Sequence, residues 1–352
     1  MTDFTELVDL AAERLGGAVL LANDEFFAPK EALLKAEPPL WIEGKYTERG
    51  KWMDGWETRR RRTPGYDWCI LRLGLPGIVR GVLVDTSYFR GNYPEHCSLE
   101  TCALPGVPTP EELTGEGVEW SEILPRSPLQ GDARNLFPVE STQRFTHLRL
   151  NIFPDGGVAR LRVYGEVVPD WERFARRGGE LDLAAVENGG TVLAASDMFF
   201  GHRHNLIMPG RSTHMGDGWE TKRRRGPGHD WTILRLGSPG TLRRVEVDTD
   251  HFKGNAPESC SLEGCDAAGA SMEELTGDRV EWQPILRRTR LQPHSRHIFE
   301  EEVQPAGRVT HVRFHIYPDG GVARLRLFGV LGPPSPGPSL ARGEGSTAHP
   351  AG

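Results

Sequence analysis

The stretch Asp54-Gly55-Trp56-Glu57-Thr58, followed by the basic run 59–62, recurs as Asp217-Gly218-Trp219-Glu220-Thr221 followed by the basic run 222–225. The flanking sequence recurs with it. Asp67-Trp68 and the apolar segment 70–74 return as Asp230-Trp231 and 233–237. Val84-Asp85-Thr86 with Gly91-Asn92 returns as Val247-Asp248-Thr249 with Gly254-Asn255, and residues 155–162 (DGGVARLR) are identical to 319–326. The offset stays near 163 (54 to 217), whereas upstream Ala22-Asn23-Asp24 matches Ala195-Ser196-Asp197 at an offset of 173. The first copy therefore holds ten extra residues between Asp24 and Asp54. A period this long marks a duplicated domain, each copy large enough to bury its own core. The reading is repeat 1 over residues 1–168, a linker over 169–180, repeat 2 over 181–330, and a disordered Pro/Gly/Ser-rich tail over 331–352.

Within each copy the pattern is β. Thr310, Val312, Phe314 and Ile316 alternate with His311, Arg313, His315 and Tyr317, and Leu325 and Leu327 alternate with Arg324 and Arg326. A period of two predicts half-buried strands. Gly and Pro clusters at Pro76-Gly77, Pro154-Asp155-Gly156-Gly157 and their counterparts predict tight turns. Many short strands between turns predict an all-β chain of two tandem jelly-roll β-sandwich domains. Only two short helices are expected, over residues 4–15 and 170–176.

Composition narrows the class. The 352 residues carry 42 Lys+Arg against 49 Asp+Glu, a net charge of −7, which disfavours a nucleic-acid partner. No apolar run approaches the ~18 residues that cross a bilayer, and residues 1–15 are acidic rather than a basic secretory leader. Five cysteines without such a leader predict reduced thiols in a cytoplasmic protein with no membrane partner.

The two DGWET blocks with their basic runs, the (Y/H)DW-x-I-LRLG strands, the VDT…F(R/K)GN segments and the PDGG-VARLR endings together resemble the allantoicase family. The resemblance spans roughly residues 20–330. It implies two discoidin-like (galactose-binding-like) jelly rolls, a homo-oligomer, and hydrolysis of allantoate to (S)-ureidoglycolate and urea in purine degradation. No metal or organic cofactor is obligatory for that chemistry, although a divalent metal is compatible with it.

The implied reaction breaks a Cα–N bond. It calls for a general acid to protonate the departing urea, a base to deliver water, and a guanidinium for the substrate carboxylate. The repeated polar block supplies these types. Glu57, Asp54, Glu220 and Asp217 are candidates for proton transfer, and Arg59, Arg60, Arg223 and Arg224 for the carboxylate. The bland reading of the same block is a loop stitched by salt bridges. Asp24 and Asp197 end apolar runs just before Phe-Phe, where aromatic shielding could raise a carboxylate pKa or where the Asp simply shapes a turn. Asn92 and Asn255 follow Gly and could bind a ureido group or occupy a left-handed turn. His147 and His311 are read on the polar faces of matching strands as acid–base candidates, against the commoner solvent-facing histidine. Arg160 and Arg324 follow the PDGG turn and could bind substrate or pair on the sheet surface.

Other signals are weaker. Cys97/Cys102 and Cys260/Cys265 share a C-x4-C spacing that is not a usual zinc motif, and read as buried thiols or a local pair. His202 and His204 have an i, i+2 spacing on a possible strand, in one copy only. Besides the hydrolase, two classes compete: a non-catalytic carbohydrate- or small-ligand-binding sandwich using exposed Trp, and a structural assembly module.

Overall fold

A computed structural model describes residues 3–332 apart from 172, 173, 175 and 177. The expected helix over 170–176 and most of the expected tail, 333–352, therefore lie wholly or partly outside the described residues.

The apolar alternation folds as read. In repeat 1 one continuous 19-residue strand, Asp67–Asp85, organises the domain. Its first part pairs with Ala18–Ala22 and Phe145–Phe153, its second with Arg160–Val167 and Arg134–Pro138. The change of partners falls across the segment Gly74-Leu75-Pro76-Gly77, where proline removes a ladder donor and glycine permits the bend. A strand of this length passes from one layer of a sandwich to the other. Val8–Asp9 closes one end of the hydrogen-bonded path, and His96–Cys102 followed by Ser121–Pro128 the other. Repeat 2 has the same order around Asp230–Asp248. The result is the all-β, twin jelly-roll sandwich that the sequence predicts. Among the described residues no helix is long and apolar enough to cross a membrane.

Helices differ in detail. Residues 4–15 form two 3-10 turns, Phe4–Glu6 and Glu13–Leu15, on either side of the strand Val8–Asp9. Strand pairing of Val8 with Gly165 outcompetes a helix there. Two one-turn α-helices, Pro110–Thr114 and Met272–Thr276, went unanticipated. Each starts on a complete capping box (Thr109 with Glu112, Ser271 with Glu274), a signal present in the sequence.

These small helices explain a second difference. The strands Phe145–Phe153 and Val309–Tyr317 are buried on both faces, not half-buried. In repeat 2 the second face is covered by a satellite cluster in which Ile233, Cys265 and Leu275 pack with Trp231 and Trp282.

The motif blocks lock together at one end of each sandwich. Trp56–Glu57 pairs with Gly157–Val158, and Trp219–Glu220 with Gly321–Val322. Trp56 and Trp219 are fully buried and donate their indole N–H groups to the carbonyls of Asp24 and Asp197, each at 2.8 Å. Gly157 lies so close to the Phe89 ring that a Cβ there would sit 1.9 Å from it, and Gly321 stands in the same relation to Phe252. The DGG turn and the VDT…F segment therefore recur together because each fits only the other.

Candidate active site

Beside the Trp56–Glu57 ladder of repeat 1 lies a cavity of about 540 Å³. Phe27, Glu57 and the loop residues Tyr88, Arg90 and Asn92 form part of its lining. Gly91 and, from the segment that carries the insertion, Trp41, Lys51 and Met53 complete it.

Glu57 is buried and held rigidly. Its backbone exchanges hydrogen bonds with Ala28, and its carbonyl also accepts from the Phe27 N–H. The Asn92 side-chain amide donates to Glu57 Oε1 at 2.7 Å. Burial pushes the Glu57 carboxyl above the ordinary glutamate value, and the Asn92 hydrogen bond only partly offsets this. Asn92 is not in a left-handed conformation, so its position after Gly91 is not explained by turn geometry. Tyr88 is left-handed (φ 69°) and is fixed there by Asp132 Oδ1, which accepts its N–H at 2.7 Å. Two cations face the same cavity. Lys51 Nζ lies 4.1 Å over the Trp41 ring, and Arg90 pairs with Asp132 at 3.0 Å.

Repeat 2 keeps the central pair but not the enclosure. Asn255 donates to Glu220 Oε1 at 2.5 Å, and Glu220 is only half-buried. Met215 Sδ sits 3.3 Å from the Asn255 amide, and Phe200, the counterpart of Phe27, is 61% exposed.

The remaining candidates fall elsewhere. Asp54 is buried behind the cavity wall, where Arg160 Nη2 (2.7 Å), Lys35 Nζ (3.0 Å) and the Leu40 N–H (3.0 Å) reach it. Burial works to raise its pKa, but these donors outweigh it and hold the carboxyl below the ordinary value. Arg160 spends its other donors on the carbonyls of Glu37, Asp54 and Ala159. Asp217 and Arg324 form the matching pair at 2.8 Å in repeat 2. Neither arginine pairs on the sheet surface: both are buried, turned against the motif aspartate, and outside the Glu57 cavity.

Asp24 Oδ1 accepts the N–H groups of Phe26 and Arg59, and its Oδ2 pairs with Arg59 Nε at 3.1 Å. Asp197 accepts from Phe199 and Lys222 in the same way. Arg59 lies over the Phe26 ring rather than in the cavity, and its counterpart is Lys222, not Arg223. Arg60 and Arg223 are exposed. Arg224 pairs with Asp230, and Arg61 with Asp67, so much of the basic run serves the loop itself.

His147 and His311 are buried, not on polar faces. Each ring accepts or donates through Nδ1 to the preceding threonine hydroxyl at 2.9 Å. Burial lowers both pKa values, that of His311 to about 4. His147 lies six residues back along its strand from Phe153, roughly 20 Å from the turn that meets Glu57, and does not line the cavity.

His204 lies in a 3-10 turn, Arg203–Ile207, that His202 caps; neither is on a strand. Among the described residues no group of three His, Cys, Asp or Glu side chains is arranged to hold a metal. All five cysteines are free and buried, with burial pushing Cys97 and Cys260 up to about 12 and Cys102 and Cys265 up to about 11. Cys97 and Cys102 are five residues apart on one strand and point to opposite faces, so they are not a pair.

Sequence reasoning missed Lys51, Met53, Tyr88 and Arg90, and reached Trp41 only through the ligand-binding reading, as one of four candidate exposed tryptophans with Trp52, Trp56 and Trp219, of which Trp56 and Trp219 are buried. The one signal was the insertion itself, whose length difference marked where the copies diverge.

Known proteins resemble this chain along most of its length. The family model for the allantoicase repeat matches residues 8–168 and again 181–332. A Burkholderia mallei protein named probable allantoicase 1 is 49% identical over 325 residues, covering 92% of this chain and 94% of its own. A Ralstonia nicotianae protein named probable allantoicase is 49% identical over 331 residues, covering 94% and 96%. The crystal structure of allantoicase from Saccharomyces cerevisiae is 36% identical with a TM-score of 0.75, covering 92% of both chains. With its repeat matched twice and near half-identity sustained along almost its whole length, the chain belongs to the allantoicase family.

Proposed function

We propose that this chain is an allantoicase, hydrolysing allantoate to (S)-ureidoglycolate and urea, and that the repeat 1 cavity is where it does so. The observation that carries the site is Glu57: a buried carboxyl with a raised pKa, paired to Asn92, in a cavity that also presents Lys51 and Arg90. Protonated Glu57 donates to the nitrogen of one ureido arm as its bond to the central carbon breaks, and neutral urea leaves. The nitrogen of the remaining arm supplies its lone pair to the central carbon. Water then adds to that carbon and returns its proton to Glu57, which ends as it began. Asn92 holds Oε1 and leaves Oε2 for the substrate. Lys51 and Arg90 complement the carboxylate, in place of the arginines of the basic run.

A sugar-binding platform would use Trp41 and Tyr88 but has no need of an acid beside them. The same reading takes residues 1–168 and 181–330 as two units joined by 169–180, in a cytoplasmic homo-oligomer without nucleic-acid or membrane partners. The reduced, buried thiols support that compartment.

The test is direct. Purified protein incubated with allantoate is expected to release urea and ureidoglycolate in equal amounts. Urea at buffer level, with and without added divalent ions, would remove the enzymatic reading.

A further inference from the structure

The two repeats part company after the 3-10 turn that follows each Phe-Phe pair. From that turn (Lys30–Leu34 or Arg203–Ile207) to the motif aspartate, repeat 1 runs through residues 35–53 and repeat 2 through 208–216. The longer path folds back as a hairpin, Tyr46–Thr47 with Gly50–Lys51. It also brings Trp41 against Tyr88, with ring centroids 6.0 Å apart and planes 29° apart. Asp54 anchors this path through the Leu40 N–H and Lys35, each at 3.0 Å, and is itself clamped by Arg160. Leu40 adjoins Trp41, so the anchor decides where the indole stands. In repeat 2 the corresponding aspartate takes the Thr213 N–H instead, and Phe200 is exposed.

We propose that Trp41, positioned by Asp54 through the Leu40 N–H and Lys35, is the substrate-selecting wall of the repeat 1 site, and that what it selects is a planar ureido group on a small carboxylate. This rests on the assignment of the site to Glu57 and Asn92. A ureido group is flat, with weakly hydrated faces and all its donors and acceptors on the edge. Lys51, which stands 4.1 Å over the Trp41 ring, turns with Arg90 to the carboxylate and yields the aromatic surface of Trp41 and Tyr88 to the ureido face, while Asn92 and Glu57 take the edge. An aliphatic wall would exclude water equally well but would not orient a plane. Repeat 2 lacks the wall and so holds a Glu–Asn pair without selectivity.

The experiment compares full-length wild type with Trp41→Ala, Trp41→Leu, Trp41→Phe and Lys35→Met. It measures kcat and KM for allantoate and the inhibition constant of ureidoacetate, which keeps one ureido arm and the carboxylate. Trp41→Ala and Trp41→Leu are expected to raise KM and the inhibition constant roughly ten- to fiftyfold, with kcat held within about threefold. Trp41→Phe is expected to restore both constants to within about threefold of wild type, and Lys35→Met to raise KM less than Trp41→Ala does. Lys35→Met leaves the Asp54–Arg160 clamp intact, so its effect reads the anchor without breaking the fold. Unchanged constants in Trp41→Ala, or equal behaviour of the Leu and Phe variants, would overturn the proposal. Glu57→Gln separates the two levels. If it is inactive while Trp41→Ala is silent, the wall is wrong and the site stands. If it turns over like wild type, the site assignment itself has failed.

Discussion

A single carboxylate can act as both acid and base only if it is protonated when substrate arrives and ionised once urea has left. Burial supplies the first condition by disfavouring the charged form of Glu57. The Asn92 hydrogen bond limits the shift and keeps the ionised form within reach. Glu57→Gln is expected to lower kcat by about 10²–10⁴-fold, the range of general acid–base catalysis. Glu220→Gln is expected to cost at least about tenfold less, because its half-exposed carboxyl lacks the enclosure. Comparison of kcat for the two variants checks this, and equal losses would show that both repeats work. The pH dependence has a definite sign. The raised pKa means that activity, which needs the protonated acid, falls as pH rises through a value above that of a free glutamate. Since the Asn92 bond lowers that pKa, Asn92→Ala is expected to move the alkaline limb of kcat/KM to higher pH. A limb that moves down, or stays put, would argue against Glu57 as the titrating group.

At the scale of elements, a buried carboxylate, Asp54, and a partly buried one, Asp182, bind strands to their surroundings. Asp54 meets Arg160, the first residue of the strand Arg160–Val167, and both are buried. Removing Arg160 takes away the buried cation but leaves Asp54 with Lys35 and the Leu40 N–H, so Arg160→Ala is expected to destabilise the protein by about 1.5–3 kcal/mol. Chemical denaturation reads this directly. Asp182, on the strand Leu181–Asp182, accepts the N–H groups of Leu327 and Ala184, with Arg326 at 3.6 Å. Burial nevertheless pushes its pKa up to about 6 from the usual 3.8. A folded-state pKa above the unfolded value contributes stability that is full below pH 4 and is lost as pH rises toward 6. The loss for a shift of this size is roughly 3 kcal/mol. Melting temperatures of wild type and Asp182→Asn, compared from pH 4 to pH 7, are expected to show the wild-type advantage shrinking as pH rises. A constant difference would mean that Asp182 stays in one protonation state throughout. Such elements were legible in the sequence where a period of two announced them, as in Phe145–Phe153, whereas the DGWET block was legible as a repeated motif but not as a ladder. The burial of His147 and the inward turn of Arg160 were not legible. Both depend on what covers a strand's second face, and local alternation carries no information about that. Glu57 and Asn92 could be picked by residue type, whereas Trp41 and Tyr88 become neighbours only when the insertion folds over a loop 47 positions away (41 to 88).

The whole molecule is more than two sandwiches in tandem, because the N-terminal segment of repeat 1 is built into the core of repeat 2. Val8 and Leu15 pack in one cluster with Leu183, Leu206, Leu236 and Leu242, and Leu75 and Val167 lie against it. Polar contacts follow the same seam: Arg203 Nη2 reaches Glu6 at 2.6 Å, and Arg14 Nη1 reaches Asn205 at 3.1 Å. A shared core ties the stability of one repeat to that of the other, so the intact chain is expected to unfold in one calorimetric transition. Leu15 is buried at this seam and has no part in the repeat 1 cavity. Leu15→Ala removes apolar contact and leaves a void, at a cost of about 2–5 kcal/mol. The loss falls on the contact between repeats rather than inside either sandwich, so the variant's endotherm is expected to broaden or split while KM for allantoate at low temperature stays near wild type. A wild-type chain that already melts in two separate steps would mean that the seam transmits nothing. A Leu15→Ala chain that melts as sharply as wild type, only lower, would place the coupling in the polar contacts of Glu6, Arg14 and Arg203 instead.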